Sequence, residues 1–357
     1  MSTSHRPDFP IDRPDFPIDR PGVLIAALPA VLGFVPEKSL VLVTAAHGEM
    51  GAVMRADLPG EVGGGSWSHL AELAAASSAE IAIAVIIDDE GAACQMCADE
   101  YRGVARELAI ELASWDVELF AVHVVDKVAA GGRWYCADGC GVAGVVEDPA
   151  ASPIAAAAVL DGRRLYARRS ELVAVVAPTD PERSAALAQA IVHAGAIDID
   201  RPDSQARSDI EHAFACGEQI GRGCPLADDQ LARLALALTD PRVRDTLYAL
   251  AVGDHAGQAE SLWADLARRL PEPWRVEALV LLAFSAYARG DGPLAGISLD
   301  AALRGMPWHR MAGMLDKALQ SGMRPEQIRE LACTGYRLAE QLGIRLPPSK
   351  RFGRRAG

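Results

Sequence analysis

Two dense apolar runs constrain this chain most: IAIAVII at 81–87 and VELFAVHVV at 117–125. The first has no polar alternation at all, as expected of a strand buried on both faces of a sheet. Between them, residues 98–115 carry Val104, Leu108, Ile110 and Leu112 on what reads as the apolar side of a helix. Strand, helix, strand at this spacing predicts two parallel neighbours, 80–88 and 117–126, joined by a right-handed crossover. Residues 39–46 and 51–58 read as an earlier pair of strands around a turn at His47-Gly48-Glu49. Ser66 is placed to cap a helix over 67–77. Arg133 to Cys136 reads as an added edge strand, with 154–160 and 171–177 packed beside the sheet.

The stretch LPAVLGFVPEKSLVLV at 28–43 leads into that sheet. Pro29 and Pro36 lack a backbone donor, so the apolar segment reads as a short helix at most. Gly33 is expected to take a positive φ that turns Phe34 back under the strand. The pattern Leu-Pro-x-x-Leu-Gly-Phe-x-Pro-x-x-Ser-Leu-Val, followed by Arg55-Ala56-Asp57-Leu58-Pro59, resembles an actinobacterial family defined only as a domain of unknown function. The resemblance continues at Arg133-Trp134 with Cys136 and Cys140, at Gly162-Arg163, and at Arg169 to Leu172. It resumes at Gly290-Asp291-Gly292 and Leu294-Ala295, so it spans about residues 23 to 340. Where that family tends to carry Cys-Cys-Pro, this chain has Cys140-Gly141-Val142. The resemblance implies no activity.

Beyond Pro178 the pattern changes. Residues 178–207 hold three prolines around a helix over 182–193 and read as a linker. From Ser208 onward the periodic segments 231–238, 242–252, 256–270, 275–288, 293–303, 309–320 and 326–342 all read as helices. Ala295, Leu299, Ala302 and Pro307 follow Ala259, Trp263, Leu266 and Pro271 at a fixed offset, and Leu279, Leu282, Ala283 and Ala286 suit the helix between. That spacing is tetratricopeptide-like; a generic helical bundle is the alternative. The expected organisation is therefore a proline-rich arm over 1–22, an α/β domain with a mixed, partly parallel sheet over 23–177, a linker over 178–207, an all-α domain over 208–345, and a basic tail over 346–357.

Composition narrows the function classes. A net charge of −13 across 357 residues argues against a general nucleic-acid binder. The exception is the tail, with Lys350, Arg351, Arg354 and Arg355 and no acid; it reads as a solvated end or as a contact for nucleic acid or another acidic partner. Arginine outnumbers lysine 31 to 4, the bias of a GC-rich genome. The opening residues repeat RPDFPID and contain no apolar leader core, and no apolar segment approaches the roughly 20 residues of a membrane span. A cytoplasmic location is expected. Seven cysteines, an odd number at low density, argue against a secreted disulfide framework.

Four constellations are candidate sites. Cys94 and Cys97, with Cys136 and Cys140, would supply four thiolates to one tetrahedral zinc if the two pairs met. Cys94-x-x-Cys97 opening a helix also suits thiol redox chemistry, although no tryptophan or proline flanks Cys94 in the thioredoxin manner. Inert thiols are the third reading. Asp57, Asp88 and Asp126 each end a strand, where ligands gather in open α/β sheets, and Arg55 shares the side of Asp57. These carboxylates would bind a divalent metal or act as acid and base if they lay within about 6 Å of one another. Gly63, Gly64, Gly65 and Ser66 precede a helix and would cradle a phosphate, but lack the ending of a P-loop; a flexible loop is the competing reading. His123, alone on an apolar strand, reads as a core histidine. The expectation is a non-enzymatic interaction or ligand-binding protein whose helical half takes a protein partner. The alternative is a metal-dependent enzyme working through Asp57, Asp88 and Asp126.

Overall fold

A computed structural model describes residues 20–58, 67–160, 163–198 and 200–348. The repeated arm, the glycine loop and the basic tail, with Gly63, Gly64, Gly65, Ser66 and Lys350 to Arg355, lie outside those residues. The chain divides into two compact units, one of residues up to Arg169 with Gln320–Gly322, the other of the rest.

The first unit is built on six strands: β1 (Ser39–Ala46), β2 (Glu49–Asp57), β3 (Ile81–Ile87), β4 (Glu118–Val125), β5 (Arg133–Cys136) and β6 (Ala143–Val145). They lie in the spatial order β2-β1-β3-β4-β5-β6. β3 and β4 are parallel, with Ile83 opposite Ala121 and Ile87 opposite Val125. All other neighbours are antiparallel. The two apolar runs therefore pair as their composition requires, and α3 (Gln95–Ala113) links them. β1 enters between β2 and β3, so β2, β3 and β4 all run the same way. A two-residue turn at His47-Gly48 joins β1 to β2, both residues at positive φ.

One face of the sheet packs Leu40, Leu42, Ala84, Ile86, Val122 and Val124 against α2 (Ser68–Ala76) and the Leu108–Leu112 side of α3. The alternate residues Val41, Val85, His123 and Val125 are buried as well, so the central strands are covered on both faces. Ile110 departs from expectation and is 65% exposed. Positions 104, 108 and 112 recur at helical spacing, and 110 falls on the opposite side. β5 is not the edge either, because β6 pairs outside it. α1 (Pro21–Leu32) is longer than its prolines suggested: Pro21 starts it, Pro29 lies inside it, and Gly33 ends it at φ 76°. α4 (Pro153–Leu160) packs against α1.

The second unit is helical: α6 (Pro181–Ala194), α7 (Asp203–Gly221), α8 (Asp228–Ala237), α9 (Pro241–Leu247), α10 (Ala256–Arg269), α11 (Arg275–Arg289), α12 (Gly292–Gly305), α13 (Arg310–Gln320) and α14 (Pro325–Gln341). A short α5 (Arg169–Ala174) precedes them. α11 is the centre, buried from Ala278 to Ala288 and packed on α10 and α12. Ala259, Trp263, Leu266, Ala295, Leu299 and Ala302 are all buried. α7 begins inside the stretch read as linker; its mixed charges obscure an apolar stripe of Ala206, Ile210, Ala213 and Cys216. Aspartates cap α6, α9 and α12: Asp180 accepts from the Arg183 amide, Asp240 from Arg242 and Asp291 from Leu294.

Candidate functional site

The direction of the strands brings Asp57, Asp88 and Asp126 to one edge of the sheet. Asp57 stands opposite Ser39, Ser39 opposite Ile87, and Ile87 opposite Val125. β1 nonetheless separates β2 from β3, about 10 Å at two strand spacings. Each carboxylate is also held by its own chain. Asp88 accepts from the Tyr101 hydroxyl at 2.6 Å and from the Glu90 amide at 3.1 Å. Burial alone pushes the Asp88 carboxyl up, but Tyr101, the Gly91 and Glu90 amides and Lys38 together hold it below its ordinary value. Asp126 accepts from the Arg133 amide at 2.8 Å. Asp57 pairs with Arg55 at 2.5 Å, and it is the exposed partner. Period two along β2 places those two side chains on one face, as expected. The three aspartates form no joint metal-ligand group; among the described residues the only such group lies elsewhere.

That group is Cys136, Asp138 and Cys140, whose ligand atoms all lie within 4.8 Å of one another. They belong to the hairpin between β5 and β6. Cys136 ends β5, and its amide donates to Val142 O at 2.9 Å across the loop. Asp138 Oδ1 accepts from the Cys140 amide at 3.0 Å, which folds the tip back on itself. Cys136 stands opposite His123 of β4, with Sγ 3.4 Å from Nδ1. His123 in turn meets Trp134 edge-on at 5.2 Å. Burial pushes the His123 imidazole down to about 4, so at neutral pH it is uncharged.

The structure does not bring the other cysteine pair to this hairpin. Cys94 caps α3 and Cys97 lies in its first turn. Cys97 packs with Tyr101, Tyr135 and Val124 on the α2 and α3 face. Cys136 follows Tyr135 on β5 and pairs with His123, which alternates with Val122 and Val124. The sheet itself therefore stands between Cys97 and Cys136. At Cys94 the Cys97 amide, the Cys97 thiol and the Met96 amide lower the thiol pKa. At Cys97 the hydrogen bond with Cys94 and burial raise it. Asp138 carries no mark in a pattern of paired cysteines; the Asp-Gly between Cys136 and Cys140 is the signal of a turn that folds them together.

The helical unit carries a cleft of about 190 Å³ between α7, α10 and the segment after α14. Phe214, Leu250 and Leu262 supply apolar lining, while Glu218, His255 and Arg345 bring ionisable groups. Burial holds the neighbouring Cys216 thiol up at about 11, so it is a packing residue. No sequence motif marks this cleft, because its residues come from separate segments, with Arg345 and Pro347 more than a hundred positions beyond those of α7.

A family model described as a domain of unknown function, DUF4192, matches residues 21–326. No curated protein and no solved structure matches the chain. Among the described residues, no helix is long and apolar enough to cross a membrane.

Proposed function

The chain belongs to the DUF4192 family, a domain of unknown function, and from that premise we propose that it is a non-enzymatic cytoplasmic protein that binds a small ligand or a protein partner through its helical half. The observation that carries this reading is the cleft on α7 and α10, apolar at Phe214, Leu250 and Leu262 and ionisable at Glu218, His255 and Arg345. An apolar concavity with a few convergent polar groups is the usual form of a ligand site. The engagement of Asp88 and Asp126 by donors of their own chain, with the exposed Asp57 paired to Arg55 and a strand away from Asp88, supports a binding role over catalysis at the strand ends. The burial of the repeated positions on α10 and α12 supports a tetratricopeptide-like pairing within a helical domain over 208–345, separate from an α/β domain over 23–177.

Anilinonaphthalene sulfonate, an apolar anion, tests this reading on the full chain. Its fluorescence should rise on the native protein and saturate at about one site per chain. Gly217 lines the cleft, and a Cβ there would meet nothing closer than 3.8 Å. Gly217→Leu should therefore enter the cleft with no clash at its Cβ and weaken probe binding at least about tenfold. Undiminished binding in a folded Gly217→Leu variant would refute the cleft as the binding site.

A further inference from the structure

We propose that the β5–β6 hairpin is a binding site for a zinc-class divalent metal, with Cys136, Asp138 and Cys140 as its protein ligands. The proposal is independent of the cleft on the helical unit. Two thiolates and one carboxylate form a donor set that favours borderline-soft, tetrahedral ions over magnesium or calcium. Metal–sulfur distances of about 2.3 Å and metal–oxygen distances of about 2.1 Å put two sulfurs and an oxygen about 3.6 to 3.8 Å apart around a tetrahedral centre. The three ligand atoms already lie within 4.8 Å of one another, so side-chain rotation alone closes the remaining gap.

The backbone holds the three residues in place. Cys136 is anchored twice, by its position in β5 and by the hydrogen bond its amide donates to Val142 O at 2.9 Å. Ala137 donates to Val122 O at 2.9 Å and fixes the next residue to β4. Gly139 and Gly141 flank Cys140, both at φ 78°, and let the chain reverse so that Cys140 returns to Cys136. Asp138 and Cys140 are exposed, so an ion reaches them directly from solvent.

His123 is the positioning residue. It is buried on β4, with Nδ1 3.4 Å from Cys136 Sγ. A ring nitrogen at that distance orients the sulfur, as outer-shell partners do for metal ligands elsewhere. With three protein ligands the fourth position falls to solvent, the arrangement of an open site rather than a closed structural one. This reading replaces a four-thiolate centre, since Cys97 packs on the opposite face of the sheet.

Cobalt(II) chloride added to the reduced full-length protein is the direct probe. About one equivalent should bind, giving the visible bands of tetrahedral cobalt and a thiolate-to-cobalt charge-transfer band, both removed by added zinc chloride. Cys140→Ser and Asp138→Asn lie on an exposed tip and should fold normally; each should weaken cobalt uptake at least about tenfold. A Cys94→Ser/Cys97→Ser double variant should keep both the affinity and the spectrum. His123→Gln should retain the bands, shifted, with affinity reduced by about 10- to 100-fold. The proposal fails if the reduced wild-type protein shows no thiolate charge-transfer band, or if Cys140→Ser binds cobalt as the wild type does. It fails equally if the double variant loses the bands, since that result would assign the metal to the other pair.

Discussion

The Tyr101 hydroxyl donates to Asp88 Oδ2 at 2.6 Å, tying the second turn of α3 to the end of β3. Burial and the neighbouring carboxylate both push the Tyr101 phenol up, so it stays a donor throughout the working pH range. Gly91 sits against this bond: a Cβ there would lie 1.8 Å from the Tyr101 oxygen and 2.6 Å from Asp88 Oδ2. Tyr101→Phe should cost about 1.5 to 3 kcal/mol, the range for a hydrogen bond to a charged group. Gly91→Ala should displace the hydroxyl and cost a similar amount. In the double variant the losses should fall well short of additive, because both remove one interaction. Urea unfolding of the four proteins checks this; additive losses would show that the two residues act separately.

Asp240 concentrates charge inside the helical unit. Its side chain is fully buried; it caps α9, meets Arg201 at 2.8 Å and meets Arg242 at 3.0 Å. Burial raises its carboxyl, but the Arg242 and Arg201 hydrogen bonds more than offset that and hold it below its ordinary value. Asp240→Ala leaves Arg201 buried without this partner and should cost about 3 to 5 kcal/mol. A depressed carboxyl binds fewer protons in the folded than in the unfolded state. Its contribution is therefore complete above the unfolded value of about 3.9 and is lost as pH falls through the lower, folded value. Unfolding measured from pH 7 down to pH 2 should show the gap between wild type and Asp240→Ala narrowing only below about pH 4.

Thiol reactivity at the start of α3 should be unequal. The thiolate is the reacting form, and Cys94 is the thiol held below its ordinary value while Cys97 is held above. Iodoacetamide at neutral pH should label Cys94 several times faster than Cys97, as read by peptide mass mapping. Because the Cys97 thiol also stabilises the Cys94 thiolate, Cys97→Ala should slow Cys94 labelling and move its pH midpoint upward. Equal rates at the two cysteines would contradict this ordering.

α14 approaches α9 and the turn after it so closely that Gly335 leaves no room for a methyl group. A Cβ there would lie 2.8 Å from Thr246 O and 2.9 Å from the Ala249 nitrogen, both backbone atoms. Gly335→Ala should cost about 1 to 3 kcal/mol through overpacking. Gly313 of α13 is the matched control, since nothing lies within 4 Å of its would-be Cβ. Gly313→Ala should be stabilising by about 0.5 to 1 kcal/mol through helix propensity. Thermal melting of the two variants should move in opposite directions.

The apolar runs of β3 and β4 announced a parallel pair because an unbroken stretch such as IAIAVII is useful only when water touches neither face. The helices of the second unit were legible from their period, and their ends from turns such as Gly290-Asp291-Gly292. Strand order was not legible. β1 lies between β2 and β3, and local periodicity carries no information about which strand lies beside which. The same limit affected the site. Cys94, Cys97, Cys136 and Cys140 suggested one centre by spacing, but alternation along β5 sends Tyr135 and Cys136 to opposite faces. Asp57, Asp88 and Asp126 do reach one edge, yet the donors that occupy them, Tyr101 and the Arg133 amide among them, are visible only once the chain is folded. Only the start of α7 falls in the stretch 178–207 expected as linker; the rest shows little period in the sequence because charged residues interrupt it and half of its apolar stripe, Ala206 and Ala213, is alanine.

The placement of β1 makes it the shared wall of two ladders. Leu42 stands opposite Met54 on one side and Ala84 on the other. Shifting this strand by a single residue would misalign both neighbours together and turn Leu40 and Leu42 away from α2 and α3. Selection on residues 39–46 is thus answered by two partners for every substitution, whereas β6 at the rim answers to one. Tolerance to mutation should therefore widen from the middle of the sheet toward the cysteine hairpin, leaving its tip freer than the central strands to acquire or discard a ligand.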